Sequence, residues 1–323
     1  MNNIAIIGAG QLGSRHLQSL VNSKNKLNIQ VVDSSIESLN IAEQRFKEVS
    51  QNFIGQISFH TSIDFLEKNI DVAIIATSSK VRRLVVEELV IKTKIKNIVL
   101  EKFLFTKIED YNAVAEILNA NNIKAWVNCP RRMMEFYQNL KEQIKGPIHF
   151  TATGNSWGLG CNGIHLLDLF AYLTQTTKVV LSNNLLDKTT LTSKRAGYIE
   201  FTGTISGYSD ANSFQITSFA NDSSPLQISI NTPTVRYHIV EGVNAKASIV
   251  KLEENWNPRE EEFKMPFQSQ LTSVFIDELL DTQNCSLTPF TDSSVLHLAF
   301  LNNLIEFLRK TKNDNSINEC QIT

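Results

Sequence analysis

A short apolar run, three spaced glycines and the start of a helical pattern leave this chain few folds to choose from. Residues 4–16 read IAIIGAGQLGSRH. Ile4 to Ile7 are apolar, Gly8, Gly10 and Gly13 follow in G-x-G-x-x-G spacing, and Leu17 and Leu20 begin helical periodicity. Strand, glycine turn and helix in that order are the setting in which this spacing cradles the pyrophosphate of a dinucleotide. Gly8 permits the turn off the strand, Gly10 lets the backbone approach the phosphates, and Gly13 lets the helix pack on the strand. Gln11 and Leu12 then offer backbone amides at the positive end of the helix dipole.

A second apolar run, Ile29 to Val32, ends at Asp33, twenty residues after Gly13. A carboxylate there accepts hydrogen bonds from a ribose 2′-hydroxyl and repels a 2′-phosphate. Ser34 and Ser35 follow, with no arginine beside them to hold such a phosphate. The reading is therefore NAD in preference to NADP. Asp33 also has a plainer reading, as an ordinary strand-end aspartate.

The rest of the first 126 residues alternates strand and helix, as a doubly wound parallel sheet requires. Strands are expected at Ile57 to His60, Asp71 to Ala76, Ile98 to Leu100 and Ile123 to Val127. Helices are expected at Gln11 to Ser23, Ile36 to Ser50, Val81 to Lys92 and Lys107 to Asn121. The DVAIIA run has little alternation, which fits a strand covered on both faces. Ligands of this fold bind at strand ends. Thr77 and Ser78 close the DVAIIA strand with small side chains, and Glu101 with Lys102 closes the next.

The pattern changes after Pro130. Residues 127–310 read as an α+β domain for substrate and oligomerisation, built on an open, mostly antiparallel sheet of five or six strands. Strand-like runs separated by turn residues lie between Tyr198 and Leu252. Apolar helices are expected at Asn162 to Leu173, Gln268 to Asp281 and Ser293 to Lys310. Residues 311–323 read as a polar, flexible tail. The sheet has no obvious cover for one partly apolar face, so a homo-oligomer through that face is expected.

Composition bounds the partners. With 20% charged residues, a net charge of −2 and no block of like charge, the chain has no electrostatic footprint for nucleic acid. No apolar run is long enough for a membrane span, and none opens the chain as a signal peptide would, so a cytoplasmic protein is expected. Cys129, Cys161, Cys285 and Cys320 form no C-x-x-C and no metal-ligand spacing with His, so they read as reduced thiols, with no metal.

Hydride transfer to a nicotinamide needs a protein group to move the second proton. Lys102, after a strand end on the ligand edge, can donate to a substrate oxygen. His165 lies on an apolar helix, with Asp168 at i+3 to fix its tautomer. Each has an ordinary alternative: a surface lysine after a strand, and a core histidine with a structural aspartate. Arg131, Arg132 and Trp157 are further candidates for a substrate pocket, or for packing.

These residues together resemble the Gfo/Idh/MocA oxidoreductases. GAGQLGSRH is similar to that family's G-x-G-x-x-G-x-x-H, VLEKFLFT to its E-K-P segment, and NGIHLLDLFAYL to its catalytic-His helix. The resemblance implies a Rossmann domain followed by an α/β domain with an oligomerising sheet. It also implies NAD(P)-dependent chemistry on sugars, nucleotide sugars or related polyols, with Lys102 and His165 as the catalytic pair. The chain departs from the pattern in four places. Phe103 replaces the proline after Glu-Lys, Thr77-Ser78 stands for the Thr-Pro that ends the DVAIIA strand, Arg82 replaces a histidine, and Cys161 replaces the acid often found four residues before the catalytic His. Arg82 near the crevice suggests an anionic substrate, such as a nucleotide sugar or sugar acid. A non-catalytic dinucleotide-binding sensor and a redox-neutral reaction on a sugar remain as alternatives.

Overall fold

The computed structural model describes residues 1–222 and 224–323. The chain forms β1 (Asn2–Ile7), α1 (Gln11–Leu20), β2 (Leu27–Val32), α2 (Ile36–Lys47), β3 (Gly55–His60), β4 (Asn69–Ile75), α3 (Arg82–Lys92), β5 (Lys94–Leu100), α4 (Ile108–Ala120) and β6 (Lys124–Val127). It continues with α5 (Glu135–Gln143), β7 (His149–Asn155), α6 (Leu159–Thr174), β8 (Val180–Leu186), β9 (Leu191–Thr192), β10 (Ile199–Glu200), β11 (Gly203–Ser209) and β12 (Asn212–Phe219). Then come β13 (Ser224–Asn231), β14 (Val235–Val240), β15 (Lys246–Lys251), β16 (Arg259–Glu262), α7 (Gln268–Thr282), β17 (Thr288–Pro289) and α8 (Phe290–Lys312). No helix among the described residues is long and apolar enough to cross a membrane.

Two compact units result. The first comprises Met1–Phe105, Glu109–Pro130 and Pro266–Thr291. Its sheet runs β17-β6-β5-β4-β1-β2-β3, parallel except for β17. The order reverses between β1 and β4, which makes the crevice at their carboxyl ends the ligand position of such a sheet. The last four residues of β1, β4 and β5 are all buried, as expected of strands covered on both faces.

The expected boundary at residue 126 is corrected by α7 and β17, which return to this unit. The Ser273 N–H donates to Ser19 Oγ at 2.9 Å, and Asp277 Oδ2 accepts the Lys24 N–H at 2.9 Å. An amphipathic helix pattern says that one face is buried, not against which core.

The second unit comprises Thr106–Ile108, Arg131–Met265 and Asp292–Thr323. Its sheet has eight strands, β16-β15-β14-β13-β7-β12-β11-β8, rather than five or six. The missed edge strands carry little hydrophobic alternation, and β16 is four exposed charged residues. Charge of that kind discourages edge-to-edge pairing. Among the described residues, only the β7–β12 pair of this sheet is parallel. Phe150, Ala152, Phe214, Ile216, Ile228 and Ile239 on one face are fully buried. The Phe170 ring of α6 meets Phe214 at 4.8 Å and Phe150 at 6.1 Å.

The opposite face carries Thr151, Thr153, Gln215, Thr217, Ser229 and His238, all at least partly exposed. The same face also exposes Val180, Tyr208 and Phe219, so it is partly apolar, as the turn-bounded runs suggested. The tail is corrected. Cys320 and Ile322 are fully buried, the Cys320 N–H donates to the Thr106 carbonyl at 3.0 Å, and the Ile199 N–H donates to the Gln321 carbonyl at 2.8 Å. A polar stretch ending in C-Q-I-T hid two anchoring side chains.

Candidate cofactor and active site

In the first unit the glycine turn has the shape its spacing requires. Gly8 has φ +99°, and a Cβ there would lie 2.9 Å from the Ala76 carbonyl carbon. A Cβ on Gly13 would sit 1.8 Å from the Gly8 oxygen, so helix and strand touch backbone to backbone. A Cβ on Gly10 would meet nothing within 4 Å. That side of the turn is open, and α1 begins there with no side-chain cap and no acid in its first turn. The amides that follow, those of Gln11 and Leu12 among them, suit an anion.

Asp33 sits where its sequence position implied. Its Oδ2 accepts the Ala9 N–H at 2.7 Å and its Oδ1 the Ser35 N–H at 2.8 Å. Each oxygen keeps a second acceptor position for a ribose hydroxyl. Across the switch point, at the end of β4, Thr77 Oγ1 is buried with no hydrogen-bond partner among the described residues. Ser78 beside it is half-buried. A buried, unmatched hydroxyl at a strand end on the ligand edge is a polar group that a bound ligand can satisfy. The open Gly10, the uncapped helix and the unmatched Thr77 together fit a dinucleotide.

Glu101 was expected at the cofactor, but it is 3% exposed and turned into the protein. Its Oε1 accepts from Asn128 at 2.5 Å and pairs with His16 Nε2 at 2.8 Å. His16 Nδ1 reaches Thr272 Oγ1 at 2.8 Å. Burial pushes the Glu101 carboxyl up, but the His16 bond and charge, with Asn128, hold it below the usual carboxylate range. This cluster ties α1, β5 and α7 together behind the glycine turn.

Lys102 follows, half-buried, and its peptide bond to Phe103 is cis. Phe103, Leu104 and Phe105 are fully buried. Arg82 does not face a substrate anion. It is 1% exposed, and its guanidinium donates to the carbonyls of Thr77 and Phe103 and, at 2.7 Å, to that of Leu104. A fork of five N–H donors satisfies several converging carbonyls where a smaller side chain would leave some unpaired.

In the second unit α6 begins at Leu159, three residues before the expected start. His165 lies half-buried on its second turn. Asp168 was expected to serve His165. It is 1% exposed, and its two oxygens take Arg132 Nε at 2.8 Å and Nη2 at 2.9 Å. Arg131 likewise holds Glu241, which also accepts the Tyr137 hydroxyl at 2.6 Å. The arginine pair thus forms interior ion pairs instead of substrate contacts.

Glu200, which sequence reasoning missed, caps α6. Its Oε2 accepts the Gly160 N–H at 2.8 Å and its Oε1 the Cys161 N–H at 3.1 Å. Beside it opens a cavity of about 340 Å³, lined among others by Trp157, Cys161, Asn162, Arg195 and Ser218. Trp157 is fixed by its indole N–H to the Thr217 carbonyl at 2.8 Å, and Asn162 donates to the Trp157 carbonyl at 2.7 Å. Ser218 is 1% exposed, and its hydroxyl has no partner among the described residues. Nothing local marks Glu200 or Ser218 in the sequence. Strand pairing brings both to the start of α6.

Residues 2–129 match the profile described as "Oxidoreductase family, NAD-binding Rossmann fold", that of the Gfo/Idh/MocA proteins. That stretch, which carries β1 to β6, is similar to the NAD-binding domain of those oxidoreductases. The fold of the chain is shared along nearly its whole length by solved structures of low identity. UDP-N-acetylglucosamine 3-dehydrogenase GnnA from Acidithiobacillus ferrooxidans aligns over 93% of this chain and 95% of its own, with TM-score 0.71 and 14% identity. An oxidoreductase from Agrobacterium radiobacter, solved with NAD+, L-tartaric acid and magnesium, aligns over 93% and 94%, with TM-score 0.69 and 14% identity. The Gal80p super-repressor mutant from Saccharomyces cerevisiae aligns over 96% and 97%, with TM-score 0.68 and 14% identity. No curated protein matches it in sequence. The protein is an NAD-dependent oxidoreductase, and the glycine turn, Asp33 and Thr77 are the residues that suit its cofactor.

Proposed function

We propose that this enzyme oxidises or reduces a hydroxyl-bearing carbon of a sugar or nucleotide sugar, in a route such as polysaccharide biosynthesis. The observation that carries this reading is the cavity at the start of α6. An indole, a carboxylate, an amide and a buried unmatched hydroxyl suit a polyhydroxylated ring, which presents an apolar C–H face and polar edges together. The nucleotide-sugar dehydrogenase among proteins of this fold supports the same class.

Bound NAD supplies the hydride acceptor or donor. The remaining work belongs to the chain. His165 takes the proton from the reacting hydroxyl or returns it, and Lys102 holds and polarises the substrate oxygen. Asp168 acts through Arg132, which it fixes against α6. Glu200 brings a carboxylate to the turn where Cys161 supplies none. Open-face contact between copies of the second sheet makes the enzyme a homo-oligomer, and a monomer by light scattering at micromolar concentration contradicts that.

The test is a panel of nucleotide sugars and free sugar derivatives with NAD(H), followed by absorbance at the nicotinamide band. Once a substrate is found, Lys102→Ala and His165→Asn each lower kcat by about 10²- to 10⁴-fold. Near-normal turnover in either variant overturns its role. NADH binding without turnover of any substrate favours a dinucleotide sensor, a reading that Gal80p, a transcriptional regulator on this fold, keeps open. Cofactor retained through purification favours a redox-neutral reaction.

A further inference from the structure

We propose that Arg45 is a positioning residue for the dinucleotide pyrophosphate, acting through Gln11. Arg45 lies in the last turn of α2, twelve residues beyond Asp33, and the fold carries it across to the start of α1. Its Nη2 donates to Gln11 Oε1 at 2.8 Å and its Nη1 to Ser14 Oγ at 2.6 Å. Its backbone carbonyl accepts from Gln18 Nε2 at 3.1 Å, so the residue is tied to α1 at its backbone as well as at its guanidinium.

Two features point to a ligand. First, the side-chain partners are neutral. Arg45 is half-buried, yet no carboxylate among the described residues lies within ion-pair distance. A cation drawn part-way out of water needs a counter-charge, and an uncapped helix start with no acid in its first turn is where an anion comes. Second, the bond to Gln11 decides which way that amide faces. A guanidinium only donates, so it takes the amide oxygen and turns the Gln11 NH2 outward. Gln11 is exposed at the first helical position, beside the open Gly10. Its NH2 donors are aimed at phosphate oxygens before any ligand arrives, with the positive charge of Arg45 behind them.

NADH binding to the purified protein tests this without a substrate. Arg45→Met is expected to raise the NADH Kd about tenfold, the scale of a lost charge-assisted bond. The Kd should also vary less with salt, because one cation has left the anion's surroundings. ADP-ribose, which carries the pyrophosphate, should weaken alongside NADH, whereas adenosine should not. Arg45→Lys keeps the charge without the fork and recovers part of the affinity. Gln11→Ala should weaken binding as well, and the Arg45→Met/Gln11→Ala double variant should lose less than the sum of the two. A lowered melting temperature with unchanged Kd and unchanged salt dependence overturns the proposal and leaves Arg45 as a clip between α1 and α2. A loss confined to NADPH overturns it too, since that is the mark of a 2′-phosphate contact.

Discussion

Gly10 and Gly13 stand three residues apart in one motif, yet the structure assigns alanine at each a different failure. At Gly13 a methyl carbon would sit 1.8 Å from the Gly8 carbonyl oxygen. Real contacts of that kind stay beyond 3.0 Å, so about 1.2 Å of separation must be found between two backbones. Neither side is a flexible side chain, and the cost falls at the upper end of overpacking, roughly 3 kcal/mol. That is a drop of about 6–12 °C in the melting of the first unit. At Gly10 the methyl meets nothing within 4 Å, and φ is −63°, which alanine adopts freely. Gly10→Ala should therefore change stability by less than about 1 kcal/mol, the cost of alanine at a helix N-cap. The same methyl stands where the pyrophosphate must approach, so NADH affinity should fall by about two orders of magnitude, as when charge-assisted amide contacts are lost. Thermal melting and NADH fluorescence titration separate the two effects. Wild-type NADH affinity in Gly10→Ala, or equal destabilisation by both variants, would falsify the placement of the phosphates over Gly10.

Other outcomes follow from the buried charges and thiols. Arg82→Met leaves three interior carbonyls without their donor and should cost about 3–5 kcal/mol, read by chemical denaturation. If it melts like the wild type and instead loses affinity for anionic sugars, Arg82 is a substrate contact after all. Burial pushes the Glu241 carboxyl up, but the charge and bonds of Arg131, with Tyr137, hold it below the usual range. A carboxyl depressed on folding stabilises the protein above its unfolded value and loses that contribution as pH falls through its folded value. Glu241→Gln should therefore be less stable near neutrality, with the gap to wild type closing below about pH 4, in pH-dependent melting. A gap of constant size across that range would count against the ion pair. Cys320 is buried and its thiol is pushed far up, so it should resist a thiol reagent until the protein unfolds. Fast native labelling at Cys320 would return residues 311–323 to a flexible tail.

The first sheet was legible because each of its signals is local. An apolar run without alternation, a glycine turn and a helical period can each be read within a dozen residues, and the parallel order follows from their alternation. The second sheet was legible only where burial alternates along a strand. The β16 segment, Arg259–Glu262, is four exposed charged residues, paired to β15 by backbone alone. The returning α7 shows the same limit at the domain level. Its apolar face is plain in QSQLTSVFIDELL, but its partner α1 lies some 250 residues earlier, and only the fold reveals that Ser19 and Asp277 were placed for that pairing.

The candidate site shows where a local motif reading stops. Asp168, at i+3 from His165, reads as its support, and its two oxygens also accept from Arg132, which no spacing rule could have indicated. Cys161 looked like a lost charge, yet Glu200 delivers a carboxylate to that very amide. If the chemistry needs negative charge at this turn, it has moved from the helix to β10, and a swap can show it. Glu200→Gln removes the charge and sets an amide NH2 against a backbone N–H, costing about 1–2 kcal/mol as a lost helix cap. If Glu200 also holds a substrate hydroxyl, KM should rise beyond anything the melting curve accounts for. Adding Cys161→Asp to that variant returns a carboxylate to the first turn and should restore KM. Recovery of stability without recovery of KM would show that Glu200 only caps the helix.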